Sequence, residues 1–135
     1  MEKKFDSSAI LKGVGIDLTL ISRYSEMDEE KQVRFAKFVL SQDELDTYNS
    51  AKTREQKDQR LAVFFCAKEA VSKALGTGFA GVSPKSIIIR SDEKGRPYVS
   101  LKDNALKAAD ALGITGIKIS VSHEGGYVTV MAVAV

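Results

Sequence analysis

The sequence predicts a single α+β domain in which a mostly antiparallel sheet packs on one long central helix. Three observations lead to this prediction. The 135 residues suit one domain with one core. Two pairs of strand-like segments are each joined by a short turn, which makes neighbouring strands antiparallel. The longest helical segment is apolar on nearly every side around its middle, which is typical of a buried helix.

A short lead-in, residues 1–12, precedes the predicted domain of residues 13–135. The domain opens with a strand over residues 13–21, because its large apolar residues occupy every second position. These residues are Val14, Ile16, Leu18 and Leu20. Asp17 lies on the opposite face of this strand.

Three helices are predicted to follow the first strand. Residues 23–39 form the first of them. Ser41 and Glu44 have the spacing of a capping box, which opens a short second helix. The third and longest helix covers residues 54–75, and Gly76 is well placed to end it.

The second half of the chain is predicted to contain two hairpins separated by a helix. The elements are, in order, strand 86–90, strand 98–101, a helix over 104–112 that Asp103 caps, strand 117–123 and strand 127–135. A polar segment with Gly95 forms the first turn. Gly125 and Gly126 form the second, a favourable pair for a tight hairpin.

Composition excludes several classes of protein. The net charge is only +2, with 20 basic and 18 acidic residues interspersed, so we expect no nucleic-acid partner. No segment approaches the roughly 18 consecutive apolar residues of a membrane helix. One cysteine and one histidine cannot build a zinc site within one chain, and a single cysteine fits a reducing cytoplasm. Any metal must rest mainly on carboxylates, which favours magnesium.

Glu69 is a charged residue in the most apolar part of the long helix. A buried carboxylate needs a partner, and Lys73 lies four residues on, on the same helix face. One interpretation is a structural ion pair between these two residues, with Asp17 simply solvated. The other is that Asp17 and Glu69 share a divalent cation while Lys73 contacts bound phosphate. The residues alone leave both interpretations open.

Four segments, in this order, resemble the motifs of the holo-acyl-carrier-protein synthase family of 4'-phosphopantetheinyl transferases. They are GVGIDLTLISR (13–23), FCAKEAVSKALGTG (65–78), GRPY (95–98) and VSHEGGYVTVMAV (121–133). The resemblance implies an enzyme that uses magnesium to move the phosphopantetheine arm of coenzyme A onto a serine of acyl carrier protein. Adenosine 3',5'-bisphosphate would leave. A non-catalytic module that binds coenzyme A or the carrier is the alternative.

The resemblance also implies roles for individual residues. Asp17 and Glu69 correspond to the magnesium ligands and, with Lys73, to the catalytic residues. The positions implied to contact coenzyme A are Lys73, Gly76, Pro97, Ser122 and His123. Either carboxylate, acting through a bound water, is a candidate to accept the proton of the carrier serine.

A carrier-docking surface is expected on the predicted helix 23–39. Its candidates, spaced to share one helix face, are Arg23, Met27, Lys31 and Arg34. The alternative is an ordinary solvated face, but the resemblance favours docking of an acidic carrier protein. It also implies a homotrimer with active sites between subunits, so that the first motif and the long helix at one site would come from different chains.

Two positions depart from the family pattern. Phe64 stands where many members have arginine, which puts one phosphate or carrier contact in question. Glu124 follows the Ser-His pair, and a carboxylate there would repel phosphate unless it points away or assists magnesium. Cys66 is expected to be a core thiol, because it lies within the apolar helix.

Overall fold

The computed structural model describes residues 1–4 and 10–135. Residues 5–9 of the predicted lead-in lie outside the described residues. The helices are α1 (Ser22–Ser25), α2 (Glu29–Val39), α3 (Gln42–Asn49), α4 (Arg54–Ala74) and α5 (Asp103–Ala111), with a 3-10 turn at Pro84–Ser86. The strands are β1 (Gly13–Leu20), β2 (Ile87–Ser91), β3 (Pro97–Leu101), β4 (Ile117–Glu124) and β5 (Tyr127–Ala134).

The strands form two antiparallel sheets, one ordered β1-β5-β4 and the other containing β2 and β3. α4 packs against both sheets and supplies much of the core, with Leu61, Ala67, Ala70 and Val71 fully buried. Its long apolar stretch removes these side chains from water. The prediction of an α+β fold around one central helix is therefore confirmed.

β1 lies unusually close to α4. A Cβ atom added at Gly15 would be 1.9 Å from the carbonyl oxygen of Ala70, and one added at Gly13 would be 1.9 Å from that of Ala74. Only glycine permits this approach of strand and helix main chains. The polar and glycine positions of β1 therefore face α4, and Asp17 is on this inner face.

The large apolar side chains of β1 consequently point away from the core. We call this surface the outer face of the sheet, and its exposed apolar residues are Val14, Ile16, Leu18, Leu20, Tyr127 and Met131. Each is between 46% and 63% exposed. An apolar patch of this kind marks a contact surface more often than a solvated one.

The predicted helix 23–39 is two helices. α1 ends at Ser25, and Asp28 starts α2 by accepting a hydrogen bond from the Lys31 amide at 2.7 Å. Arg54 Nη2 donates to the carbonyl oxygens of Tyr24 and Met27, at 3.1 and 2.6 Å. These bonds from α4 satisfy carbonyls that a continuous helix would have paired internally.

The capping box at the start of α3 is present, and it is part of a larger buried network. Ser41 and Glu44 exchange the two expected hydrogen bonds. The Glu44 carboxylate also accepts from the Ile89 amide at 2.7 Å and pairs with Lys68 Nζ at 2.8 Å. Both charged side chains are almost completely buried. Burial lowers the pKa of Lys68, and the nearby Glu44 carboxylate opposes this effect.

In the second half of the chain, one predicted turn differs from the prediction and another agrees with it. Asp103 does not cap α5 as predicted; it is the first helical residue, at φ +50°, and Lys102 is the residue before the helix. The Lys102 amide bonds to the Ser86 carbonyl, so the chain stays extended to that point and must turn sharply at Asp103. Gly125 and Gly126 have φ of +58° and +82°, as a tight hairpin requires.

Helices long and apolar enough to span a bilayer are absent from the part of the chain that the structure describes.

Candidate active site

Asp17 meets the last turn of α4 inside one chain. Lys73 Nζ lies 3.0 Å from Asp17 Oδ1 and 3.0 Å from the Ile16 carbonyl oxygen. The Asp17 side chain is only 12% exposed, so the interpretation of a solvated aspartate is wrong. Lys73 pairs across to the strand rather than with Glu69 of its own helix.

Glu69 lies beside Asp17, and we call these two carboxylates the acid pair. The pKa of Glu69 is raised to about 7, first by burial and then by its hydrogen bond and charge interaction with Asp17. Arg23 and Lys73 oppose that rise. Two close carboxylates repel, and a proton or a cation relieves the repulsion. The acid pair is therefore poised to take up positive charge.

One chain thus brings the first motif and the long helix together. The expectation that these two motifs of a site come from different chains is wrong, because Asp17, Glu69 and Lys73 already meet within one subunit. The physical reason is the close packing of β1 on α4, which directs the inner face of the strand at the helix.

The acid pair also fits magnesium by its chemistry. Within the described residues, 1–4 and 10–135, no three or more His, Cys, Asp or Glu side chains are grouped so that they could hold a metal ion. Two carboxylates suffice for magnesium, which keeps several waters and binds substrate phosphates directly. The mutual repulsion of Asp17 and Glu69 is the feature a divalent cation would relieve.

The wall behind the acid pair is apolar. Cys66 is buried one helical turn before Glu69, and its Sγ lies 3.4 Å from the Asp17 carbonyl oxygen. Burial raises the pKa of this thiol to about 12, and the Asp17 charge adds to the effect. Cys66 is therefore an unreactive core thiol, as the sequence predicts.

A groove beside the other edge of the sheet is lined by one of the predicted coenzyme A positions and adjoins a second. Pro97 lines it, together with Gln59 and Phe64 of α4, and its volume is about 390 Å³. His123 stands next to it, with its Nε2 3.5 Å from Gln59 Nε2. Phe64 precedes Glu69 by five residues and Gln59 by ten, so this wall of the groove runs from about 8 Å to about 15 Å along the helix from Glu69.

The remaining predicted coenzyme A positions are separated from this groove. Gly76 follows the end of α4 at φ +77°, about two turns beyond Glu69. Ser122 and Glu124 alternate with His123 along β4, so they lie on the outer face while His123 lies on the inner one. The Glu124 carboxylate therefore points away from the groove.

The predicted docking residues do not form one helical stripe. The break before Asp28 places Arg23 in α1, near Glu69, and leaves Met27 half-buried against the core. Lys31 and Arg34 share the exposed face of α2, although Arg34 also pairs with Glu30 at 3.1 Å. That face continues at Phe38, which is 71% exposed.

The sequence analysis assigned Arg23 to carrier docking without placing it beside the acid pair, and it did not single out Gln59. Arg23 is close enough to Glu69 to lower its pKa, and Gln59 contacts His123. Arg23 had a local signal, because it follows Asp17 by six residues at the start of a helix. Gln59 had none, since its neighbour in space is 64 residues away in the chain.

Comparison with known proteins identifies the family of this chain. Residues 13–129 match the model of the 4'-phosphopantetheinyl transferase superfamily. The holo-[acyl-carrier-protein] synthase of Halothermothrix orenii is 40% identical over 115 residues, which cover 85% of this chain and 90% of that protein.

Solved structures agree with the sequence match. The holo-[acyl-carrier-protein] synthase of Neisseria meningitidis superposes with a TM-score of 0.81 at 31% identity, over 93% of this chain and 98% of that one. The Helicobacter pylori enzyme in complex with coenzyme A superposes with a TM-score of 0.76 at 28% identity, over 90% of this chain and 99% of that one. The chain therefore belongs to the 4'-phosphopantetheinyl transferase superfamily, within its holo-acyl-carrier-protein synthase branch.

Proposed function

We propose that this protein transfers the 4'-phosphopantetheine group from coenzyme A to a serine of apo acyl carrier protein, with magnesium, and releases adenosine 3',5'-bisphosphate. The observation that carries the proposal is the meeting of Asp17, Glu69 and Lys73 at one place on the strand–helix contact. Phosphoryl transfer requires positioning and charge neutralisation rather than a protein nucleophile, and this set of residues offers both.

The residues of the site have separate roles in the transfer reaction. The carrier serine hydroxyl attacks the pyrophosphate of coenzyme A, and the leaving phosphate gains negative charge. Lys73 is half-exposed, so its ammonium can turn from Asp17 toward a bound phosphate and stabilise that charge. Asp17 or Glu69, through a water, accepts the serine proton.

Magnesium is the expected cation, held by Asp17 and Glu69. When bound, it would supply positive charge to the two carboxylates and to the phosphate oxygens that face them. The pKa of Glu69 supports this assignment, since the same repulsion that raises it makes the acid pair attractive to a divalent cation.

Coenzyme A is proposed to bind with its nucleotide in the groove beside Pro97 and His123. Phe64 makes one wall of this groove apolar, which suits a base better than a phosphate. The groove begins about 8 Å from Glu69 along α4 and continues away from it, so an extended ligand is needed to occupy both places. Gly76 and Ser122 stay proposed contacts.

The carrier is proposed to dock on the surface of α1 and α2. Lys31 and Arg34 would attract an acidic partner, and Arg23 would hold it beside the acid pair. Phe38 is a more exposed apolar anchor than Met27, whose side chain is half-buried. This proposal amends the stripe expected from the sequence.

Assembly as a homotrimer is proposed through the outer face. Its six large apolar side chains are exposed in one chain, and second copies of the same chain would cover them. Ser122 lies on this same face, so assembly would place it in the contact between subunits.

The cytoplasm is the proposed compartment. Cys66 is a free, buried thiol that needs no oxidising environment.

A transfer assay tests the function directly. Incubation of the protein with magnesium, coenzyme A and an apo carrier protein should add about 340 Da to the carrier, the mass of the attached arm. Asp17→Asn and Glu69→Gln, each assayed in the same way, should abolish the mass shift while circular dichroism shows an intact fold. Glu55→Gln, an exposed change in the first turn of α4, is the matched control and should retain transfer.

Two outcomes would count against this function. No mass shift with several apo carriers, together with thermal stabilisation by coenzyme A, would favour the non-catalytic binding module. Retained turnover in both carboxylate variants would remove the acid pair from the mechanism.

A further inference from the structure

Tyr24 carries a buried hydroxyl that makes no hydrogen bond. Its side chain is fully buried, and across residues 1–4 and 10–135 it supplies the one buried side-chain polar atom without a partner. The second large buried tyrosine, Tyr48, donates its hydroxyl to Gln32 Oε1 at 2.5 Å. A buried hydroxyl without a partner destabilises a fold, so its retention calls for a reason.

The surroundings of the hydroxyl place it behind the acid pair. Burial raises the pKa of Tyr24 to about 12; Arg23 lowers it, and Glu69 and Cys66 raise it further. The Thr19 side chain, which is close to the hydroxyl but does not meet hydrogen-bond geometry, lowers it. Thr19 lies two residues beyond Asp17 on the same face of β1, and Cys66 lies one turn before Glu69 on α4. Phe35, on which the Tyr24 ring packs, contacts Phe65 with 5.1 Å between ring centroids, and Phe65 lies one helical turn before Glu69. The phenol therefore lies beside the part of α4 that carries this carboxylate.

Tyr24 is also held rigidly. Its carbonyl oxygen accepts hydrogen bonds from Gln32 Nε2 at 3.0 Å and from Arg54 Nη2 at 3.1 Å. Its ring packs against Phe35, with 6.0 Å between ring centroids, and the Arg23 guanidinium carbon lies 5.8 Å from the ring centre. These contacts to backbone and ring hold the hydroxyl in its buried position.

We propose that Tyr24 is a positioning residue for the acid pair, a role that rests on the proposed function. Its hydroxyl donates a hydrogen bond to the Glu69 carboxylate in the magnesium-bound protein, and so holds that carboxylate in the orientation that binds the cation. Partners of this kind fix the rotamer of a metal-binding side chain and raise its affinity. The hydroxyl gains there the partner it lacks in the free protein.

Tyr24→Phe tests this role, because it removes the hydroxyl and keeps the ring. Magnesium affinity, measured by titrating the melting temperature with MgCl₂ alone, should fall by about 10-fold to 100-fold. The magnesium concentration for half-maximal transfer should rise in parallel, with KM for coenzyme A unchanged at saturating magnesium. Without magnesium the melting temperature should stay the same or increase, since an unpaired buried hydroxyl has been removed.

Tyr48→Phe is the matched control. It also removes a hydroxyl from a fully buried tyrosine, but one that has a partner in Gln32. We expect a lower melting temperature in this variant and an unchanged response to MgCl₂.

The outcomes separate this proposal from the function on which it rests. A parent protein that transfers the arm and responds to MgCl₂, with Tyr24→Phe responding identically, would overturn the role of Tyr24 alone. Equal loss of magnesium affinity in Tyr24→Phe and Tyr48→Phe would also overturn it, because the effect would then be a general loosening of the fold. A parent without any response to MgCl₂ would overturn both this role and the magnesium assignment.

Discussion

Lys73 Nζ lies 3.0 Å from Asp17 Oδ1, and this ion pair joins the last turn of α4 to the middle of β1. The lysine also donates to the Ile16 carbonyl at 3.0 Å, so the strand holds it by main chain and side chain together. A cation that displaced this lysine from Asp17 would direct its ammonium toward a phosphate. The pair is therefore the part of the site that has to rearrange when substrate binds.

Replacing Lys73 should affect the reaction far more than the fold. Lys73→Ala should lower kcat by about 100-fold or more, as expected when a charged group that stabilises the transition state is lost. The free energy of unfolding should fall by less than about 1 kcal/mol, because the pair is partly exposed. Steady-state transfer kinetics and urea denaturation provide the two measurements.

The control for this variant is Arg90→Ala. It breaks an exposed ion pair with Asp43 that is 2.7 Å long and remote from the acid pair. We expect Arg90→Ala to have the same kcat as the parent protein. A comparable loss of kcat in both variants would contradict a specific role for Lys73.

The stability of the metal-free protein should decrease as pH rises from about 4.5 to about 7. The pKa of Glu69 is about 7 in the folded chain against an ordinary 4.5, so the folded state binds more protons in this interval and loses that advantage as the carboxyl ionises. Urea midpoints measured in EDTA across this range should show the decline. Glu69→Gln should flatten it, whereas Glu55→Gln should leave it in place.

Addition of MgCl₂ should reverse the same decline, because a cation favours the ionised acid pair. A pH profile of Glu69→Gln with the parental slope would show that another group is responsible.

Gly15→Ala should disrupt the contact between β1 and α4. The added Cβ would lie 1.9 Å from the Ala70 carbonyl oxygen, so strand and helix must separate. Destabilisation of about 1–3 kcal/mol or more is expected, with loss of transfer. Gly116→Ala is the comparison, because its Cβ meets only the flexible Val135 side chain at 3.2 Å. Equal stability of the two variants would argue against main-chain contact as the constraint.

Charge on the outer face should dissociate the proposed trimer. Ile16→Lys places an ammonium at the centre of the apolar patch, where burial between subunits would be costly. Light scattering should show three times the chain mass for the parent and the chain mass for the variant. Ser120→Lys adds the same charge at a polar position on β4 of the same sheet. We expect this variant to dissociate the trimer less than Ile16→Lys does. A monomeric parent would exclude the trimer.

Glu44→Ala should destabilise the fold more than the loss of any of the exposed ion pairs. It would leave the fully buried Lys68 without its carboxylate, and breaking a buried pair in this way costs about 3–5 kcal/mol. Asp43→Ala, at the adjacent position, breaks only the exposed pair with Arg90 and should cost less than about 1 kcal/mol. Thermal and urea denaturation of the two variants should differ accordingly.

Local signals in the sequence predicted most of the elements. The capping box at Ser41 and Glu44 and the glycine pair at 125–126 act within a few residues, so their spacing alone identifies them. The long apolar helix is equally evident, because it is buried on nearly all sides.

Errors arose where a distant residue determines the local structure. The break between α1 and α2 depends on Arg54, which reaches carbonyls 27 and 30 residues earlier in the chain. Alternation showed that Asp17 and the large apolar residues of β1 are on different faces, but it does not tell which face is inside. The signal that was present is the glycine at position 15, which permits close packing only on the Asp17 side.

The sequence predicted which residues form the site but not how they are arranged in space. Glu69 and Lys73 have the spacing of an ion pair, yet the strand supplies the closer carboxylate. The placement of Asp17 beside α4 is a long-range contact, and only the family resemblance suggested it before the structure.

Because β1 and α4 touch through backbone atoms at Gly15 and Ala70, the spacing of the two carboxylates is a property of the scaffold rather than of adjustable side chains. Attempts to retarget such an enzyme to a new carrier should leave this contact untouched. The α1–α2 surface, which has no comparable constraint, is the region to diversify.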